Sequence, residues 1–479
     1  MIASEWLYHI EHQLPFAPSE GQHEAIMRIS HFLACRTPQQ HSAMILRGSA
    51  GTGKTSVARA LVCAMAALKQ KTVLLAPTGR AAKVFSLGTG CAAHTIHRKI
   101  YRQRAYLDGR FSLNQNLHTD TLFIVDEASM INYTAAAFEE QHAFGSGSLL
   151  DDLIQYVYSG QNCALMLIGD TAQLPPIGCE EAPALVTPFI AGYGLQVYEY
   201  DLTEVLRQAE GSGILVNATA IRQMITHDSM TELPKIRFSG FTDIAVCHGS
   251  ELIEQLASSY SHAGIDDTIV VTRSNKRANI YNNGIRNQVL GREEEISSGD
   301  RLMIVKNNYF WTKDSDDSDT PPFLANGDHC IVRRVRNMRE LYGFRFADIL
   351  VEFPDYNNYE LQATVILDTL QSEAPALTRS EQEQLYNNVM EDYAHISVKR
   401  ERMEKLRNDI YFNALQVKYA YAVTCHKAQG GQWEHVYLDQ GYMTDDMLTP
   451  SYIHWLYTAF TRATEHLYLV NWPKEQIDK

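Results

Sequence analysis

Residues 48–55 read GSAGTGKT and meet the pattern GxxxxGK[ST] at every fixed position. Such a loop holds phosphates. The backbone N–H groups of Gly48, Ser49, Ala50, Gly51, Thr52 and Gly53 can close on an anion, and a helix N-terminus adds its positive dipole end. Lys54 is placed to bridge the β- and γ-phosphates of a nucleotide and the Thr55 hydroxyl to ligate Mg2+, with Ser56 completing the set. Downstream, TLFIVDEASM ends an apolar run on Asp126 and Glu127. Asp126 suits the Mg2+ shell and Glu127 the base for an attacking water, which favours a hydrolase over a kinase. An acidic pair capping the next helix is the plain structural alternative. CALMLIGDTAQLPPIG sets Gln173 just past another apolar run, where a neutral amide can touch the γ-phosphate; a turn set by Gly169, Pro175 and Pro176 explains the stretch equally well.

These residues need rigid elements behind them. AMIL before the loop reads as a buried strand, and SVARALVCAMAAL after it has helical apolar spacing. TVLLA followed by APTGRAAKV repeats the strand-to-helix step, offering Thr78 and Arg80 at a second anion-friendly N-terminus. At 479 residues the chain exceeds one compact core, and 45% apolar with 20% charged residues is an ordinary globular composition. The longest apolar runs fall far short of the roughly 18 residues of a membrane span. MIASEWLYHIEHQ has no basic lead before an apolar core, so no signal peptide is expected. Eight scattered cysteines without a CxxC pair point to a reduced cytoplasm and no structural zinc. The net charge of −14 argues against nonspecific coating of nucleic acid while leaving room for a local basic groove.

Taken in order, GSAGTGKTS, APTGRAAKV, AHTIHR, IVDEAS, GDTAQLPPIG, LTEVLRQ, VTCHKAQGGQW and YTAFTRA resemble the motif set of the superfamily 1 helicases, most of all the RecD/Dda-like branch. The resemblance runs from about Gln22 to Thr464. It implies two RecA-like lobes with ATP and Mg2+ between them, and hydrolysis coupled to 5′-to-3′ movement on single-stranded DNA and to duplex unwinding. It implies arginine fingers at Arg207 and Arg462, a contribution on the order of 10³-fold in rate, an adenine-reading Gln22 and a close approach at Gly430. Strand contacts are implied at Thr78, Arg80, Thr95 and His97, and in the second lobe at Thr272, Asn275, Lys306, Asn307, Thr424, His426 and Lys427. Mostly neutral hydroxyls and amides suit a machine that must release phosphates each cycle. Surface ion-pair arginines and helix-capping threonines and asparagines are the structural alternatives.

The expected fold is α/β: two RecA-like P-loop domains of parallel sheets flanked by helices, with a β-hairpin pin and an SH3-like β-barrel insertion. Residues 1–230 form the N-terminal ATPase domain, 231–299 with 416–479 the second, and 300–415 the insertion. Within KIYRQRAYLDGRFSLNQN, Asp108–Gly109 lies between β-prone runs at about 99–118, a hairpin signal. The family's duplex-splitting pin sits here, with Tyr106 and Phe111 as its aromatics; a surface hairpin is the alternative. GDRLMIVKNN, GDHCIVRRVR, ADILVEF and LQATVILDTL read as strands of a small barrel, and 378–408 as a charged, solvated helical arm. The expected partners are single-stranded DNA and duplex/single-strand junctions, for a cytoplasmic monomer serving DNA repair and recombination. Two other readings stand beside this one: the motor subunit of a RecD-type exonuclease complex, and a P-loop switch ATPase with no nucleic-acid track.

Overall fold

The apolar runs around the phosphate loop become the middle of a parallel sheet. The computed structural model describes residues 1–37, 39–103, 111–133, 146–204, 211–227, 232–312, 321 and 323–478. Among these, the first sheet runs Ala93–Thr95, Lys71–Ala76, Thr121–Val125, Ala164–Gly169, Ser42–Gly48, Gln196–Leu202, with every pairing parallel. Thr121–Val125 and Ala164–Gly169 are buried along their whole length, as a sheet covered on both faces requires. Side chains alternate, so each strand feeds two cores. Ile45, Phe123 and Leu167 enter one; Leu46, Ile124 and Ile168 enter the other. Because the strands are parallel, their C-terminal ends carry the phosphate loop, Asp126–Glu127 and Asp170 to the same edge.

The second sheet, Ile244–Cys247, Ala463–Val470, Trp433–Asp439, Thr268–Thr272 and Ala422–Thr424, is also parallel throughout. Two RecA-like sheets are therefore present, as the sequence led us to expect. Their division differs from the expected boundary at 230. Helix Gly213–Thr226 places Ile214, Ala218 and Ile221 in one core with Ile269, Val436 and Leu456, so it packs with the second lobe.

Between the second-lobe strands lies a closed barrel of Arg301–Ile304, His329–Leu341, Phe344–Phe353, Tyr359–Ile366 and Leu415–Tyr419. Its last strand pairs with both Arg301–Ile304 and Tyr359–Ile366, so the insertion runs past the expected limit of 415. LQVKYAYAVT looks like one apolar strand. It is two, Leu415–Tyr419 and Ala422–Thr424, belonging to different sheets. The charged arm also differs from the solvated helix expected. Helices Arg379–Asp392 and Lys399–Arg407 bury Leu385, Val389 and Leu406 against Phe344, Phe346 and Ile366 of the barrel. No described helix is long and apolar enough to cross a membrane.

The barrel's root is a buried ion network. Asp300, 0% exposed, accepts from Arg286 Nε and Nη2 at 3.0 Å each, Arg292 Nη1 at 2.7 Å, the Tyr421 hydroxyl at 2.8 Å and Ser297 N–H at 2.7 Å. Burial pushes its carboxyl up, but these donors overcome it and hold the group below the usual carboxylate range. Removing one partner of such a set leaves a buried charge uncompensated. Asp300→Asn should therefore cost about 3–5 kcal/mol in unfolding free energy, measured by urea denaturation; a loss below about 1 kcal/mol would contradict the network's structural role.

Candidate active site

Strand Ser42–Gly48 delivers the phosphate loop and helix Lys54–Ala67 leaves it. Gly51 and Gly53 sit at φ +78° and +84°, the left-handed region that glycine enters without a Cβ penalty. At Gly48 the constraint is space, since a Cβ would lie 2.7 Å from Thr52 Oγ1 and 2.9 Å from Leu202 Cβ. Thr52 Oγ1 donates to the Ser49 carbonyl at 2.8 Å, and Lys54 Nζ to the carbonyls of Gly48 and Ser49 at 2.7 and 2.9 Å. The loop's own side chains thus brace it. Thr55 and Ser56 occupy the first helical turn behind.

Asp126 anchors its backbone N–H on the Leu75 carbonyl at 3.0 Å. The next residue, Glu127, has φ +53° and ψ +38°, a left-handed conformation that costs a non-glycine residue on the order of 1 kcal/mol. That kink turns the chain sharply out of the sheet. Burial, together with the Glu127 carboxylate, raises the Asp126 carboxyl to about 7, while Lys54 pulls the other way. The three groups therefore share one locus. A divalent cation is the partner that would hold the Asp126 carboxylate ionised.

The surrounding segments hold polar atoms that lack partners. Gln22 is fully buried; its Oε1 accepts from Ser19 N–H at 3.1 Å in a capping box, but its Nε2 has no hydrogen-bond partner among the described residues. The same holds for Ser49 Oγ, Ser129 Oγ and Gln173 Oε1. Buried polar groups are normally satisfied. A glycine-built loop at a helix N-terminus, an acidic pair and orphaned polar atoms make a donor set that fits a magnesium nucleotide.

The second lobe closes on this edge. Helix Pro450–Phe460 presents His454, Tyr457 and Thr458, which share one face by their i, i+3, i+4 spacing. The Tyr457 hydroxyl donates to Asp170 Oδ2 at 2.5 Å and accepts from Ala50 N–H at 3.1 Å. Burial and the Asp170 carboxylate push its phenol well above the usual range, so it stays protonated. Leu174 N–H donates to Thr458 Oγ1 at 2.8 Å, His454 Nδ1 meets the Ala172 carbonyl at 2.9 Å, and Gln429 Nε2 donates to the Leu174 carbonyl at 2.7 Å. Residues 170–174 are thus clamped to the second lobe. None of Tyr457, Thr458, His454 or Gln429 stood out in the sequence, where YTAFTRA drew notice to its arginine; the helical spacing was the available signal.

Arg462 is 2% exposed and keeps to its own lobe, donating to Thr458 O, Gly431 O and Thr461 Oγ1 at 3.0–3.1 Å. Gly430, at φ +73°, abuts the first lobe, for a Cβ there would lie 2.8 Å from Ala81 Cβ. Arg80 reaches across to the Gln432 carbonyl at 3.2 Å and stands 5.2 Å over the Trp433 ring. Thr78 and Thr95 cap helices Gly79–Thr89 and Ile96–Ile100. Thr272, fully buried, donates to Ser274 O at 3.1 Å and so serves its own turn. Asn275 opens the helix Asn275–Gly284. Lys306 donates to Gln382 Oε1 at 3.1 Å, Asn307 Oδ1 accepts from Asn326 N–H at 2.7 Å, and Lys427 donates to Asn326 Oδ1. Thr424 precedes the short helix Cys425–Ala428, on which His426 is exposed.

The barrel rests on the N-terminus of helix Gly79–Thr89. A Cβ on Gly79 would lie 3.1 Å from both Asp328 Oδ1 and the Tyr356 hydroxyl, and Lys83 pairs with Asp355 at 3.2 Å. The hairpin expected near 99–118 is present as Tyr101–Gln103 paired antiparallel with Phe111–Leu113. Arg207 and Tyr106 lie outside the described residues, as does the side chain of Phe111.

Comparison with known proteins accords with this arrangement. A model of the AAA domain matches residues 19–233, and one of the UvrD-like helicase C-terminal domain matches 419–470. The ATP-dependent RecD2 DNA helicase of Deinococcus radiodurans is 32% identical over 138 residues, covering 29% of this chain and 16% of that protein. The ATP-dependent DNA helicase Dda of Enterobacteria phage T4 is 24% identical over 324 residues, covering 65% of this chain and 66% of that one. In these matched segments the chain is similar to the superfamily 1 helicases of the RecD/Dda branch. The uncharacterized protein MJ1519 of Methanocaldococcus jannaschii is 23% identical over 89% of this chain, which spans 36% of its length. The chain thus covers less than two thirds of each of these relatives. A solved Pif1 helicase from Bacteroides, in complex with ADP-AlF3 and ssDNA, aligns at TM-score 0.47 and 15% identity over 97% of this chain and 95% of that one.

One titration follows from the site. Burial lowers the His97 imidazole to about 4, and its ring lies 5.6 Å from Tyr101 and 6.1 Å from Phe323. A histidine held neutral by the fold stabilises it fully above the unfolded value near 6.5, and that stability drains away as pH falls toward 4. Against His97→Gln, the wild-type unfolding free energy should therefore decline across that window by at most roughly 3 kcal/mol. Parallel denaturation curves at pH 4.5 and 7.5 would check it; a constant difference would mean that His97 is not held neutral.

Proposed function

We propose that the chain is an ATP-dependent DNA helicase that moves 5′ to 3′ on single-stranded DNA and unwinds the duplex ahead. The observation that supports this reading most is the meeting of two RecA-like lobes at the phosphate loop, where Ala50 N–H donates to Tyr457 of the other lobe at 3.1 Å. A motor needs such a cleft, because opening and closing it displaces the two lobes along a track. The direction and the DNA substrate draw on the family, whose named relatives include DNA helicases.

When bound, ATP with Mg2+ supplies the phosphoanhydride whose cleavage drives the cycle. Gln22 with residues 48–56 would hold the base and phosphates, and Thr55 with Asp126 the cation. Glu127, on its strained turn, would take the proton of the attacking water, and Gln173 would sense the terminal phosphate. Arg462 donates to neutral carbonyl and hydroxyl oxygens, among them the Gly431 carbonyl. The donor is already ionised, and exchanging those neutral acceptors for a charged oxygen makes both partners of the bond ionic, the stronger pairing that a finger residue requires. Arg207 would be its companion. The strand would cross the cappers Thr78 and Thr95, neutral His97, and the group around Thr424, His426 and Lys427.

ATP turnover should rise on addition of single-stranded DNA, and a duplex with a 5′ tail should open in preference to one with a 3′ tail. Lys54→Ala should abolish turnover. Glu127→Gln should keep nucleotide binding while losing about 10²-fold or more in rate. Turnover indifferent to oligonucleotide, with no strand binding, would favour the switch-ATPase reading instead.

A further inference from the structure

We infer that Tyr457 is the positioning residue through which the second lobe governs the phosphate loop, an inference that rests on the proposed ATP-driven motor. Arg462 is the obvious cross-cleft candidate, but its hydrogen bonds to Thr458, Gly431 and Thr461 stay within its own lobe. The group that does touch the loop is the phenol three residues before Phe460. It bridges the phosphate loop and the loop after strand Ala164–Gly169: it accepts from Ala50 N–H at 3.1 Å and donates to Asp170 Oδ2 at 2.5 Å. Asp170 Oδ1 in turn accepts from Ala172 N–H at 3.0 Å. The chain of bonds thus runs from the phosphate loop, through the second lobe, back to the loop that follows strand Ala164–Gly169.

One hydroxyl has one proton and few acceptor directions, so the relay works as a unit. With the lobes together, the amide of Ala50 is engaged by the phenol. With the second lobe withdrawn, that amide is released to another acceptor, and the buried Asp170 carboxylate loses a donor. A phosphate oxygen arriving at the loop must compete with the phenol for Ala50. Lobe spacing and loop electrostatics are thereby linked through a single side chain. The neighbouring contacts from His454, Thr458 and Gln429 hold residues 170–174 but do not reach the loop.

Tyr457→Phe removes the hydroxyl and keeps the ring. In the free protein, hydrogen exchange should quicken in the peptide spanning residues 48–53, while Thr458→Val, on the same helix, should leave that peptide unchanged. In turnover, Tyr457→Phe should lower the DNA-stimulated kcat about tenfold, the scale of one lost charge-assisted hydrogen bond, with KM for ATP unchanged or lower. Unchanged exchange at 48–53, or full stimulation of the variant where the wild type is stimulated, would overturn the inference. A wild type that DNA does not stimulate would defeat the motor reading instead, and the exchange result would then decide Tyr457 alone. Should Tyr457→Phe melt far below the wild type, Asp170→Asn weakens the same bond from the other side and must show the same losses.

Discussion

An anion held by backbone amides requires a loop whose N–H groups can be handed over to it when it arrives. That constraint shapes the first lobe. Gly51 and Gly53 take positive φ, which lets the backbone coil tightly between the strand and the helix. Gly48, pressed between Thr52 and Leu202, leaves no room for the loop to collapse onto the sheet. The strands that fix this geometry are buried on both faces, so the loop stands on backbone that cannot easily shift. Glu127 is held in its strained conformation by the same rigidity.

The second lobe obeys the first. Its helix Pro450–Phe460 is packed so that eight of its residues are buried, and the polar ones among its contacts are spent on the edge where the first sheet ends. A face used in this way cannot also be an ordinary core face. Thr458 illustrates the trade: its hydroxyl accepts from the opposite lobe while donating to its own helix at His454 O, 2.8 Å. Tyr457, Thr458 and Gln429 make these cross-lobe hydrogen bonds only when both lobes are present.

Much of this was legible beforehand, for physical reasons. Parallel strands covered on both faces are short continuous apolar runs, and AMIL, TVLLA, TLFIV and CALMLIG all became strands of one sheet. GxxxxGK[ST] names its own chemistry because few other sequences put amides and an ammonium together. What escaped reading depended on distant partners. LQVKYAYAVT has no turn residue at the point where it changes sheets, since the break is made by Arg301 and Asn282 pairing with Ala420, Tyr421 and Ala422 from elsewhere in the chain. Helix Gly213–Thr226 shows an apolar face but not which lobe that face will meet. The arm's Leu385 and Val389 are outnumbered by charges, and only the aromatic wall of Phe344 and Phe346 makes them a core. Tyr457 had the same difficulty: an aromatic on an apolar helix reads as packing until the facing carboxylate is known.

The root of the barrel carries a mechanical implication. Only Ala420 and Tyr421 separate its last strand from the sheet of the second lobe, and the Tyr421 hydroxyl is tied to Asp300 where the barrel begins. Both ends of the insertion are therefore bolted to the same block through a dry, charged joint. Such a mounting has no pivot. The barrel is thus carried by the second lobe while it leans, through Asp328, Asp355 and Tyr356, on the helix Gly79–Thr89 of the first, so any change in the spacing of the lobes is felt at that contact as well as at the cleft.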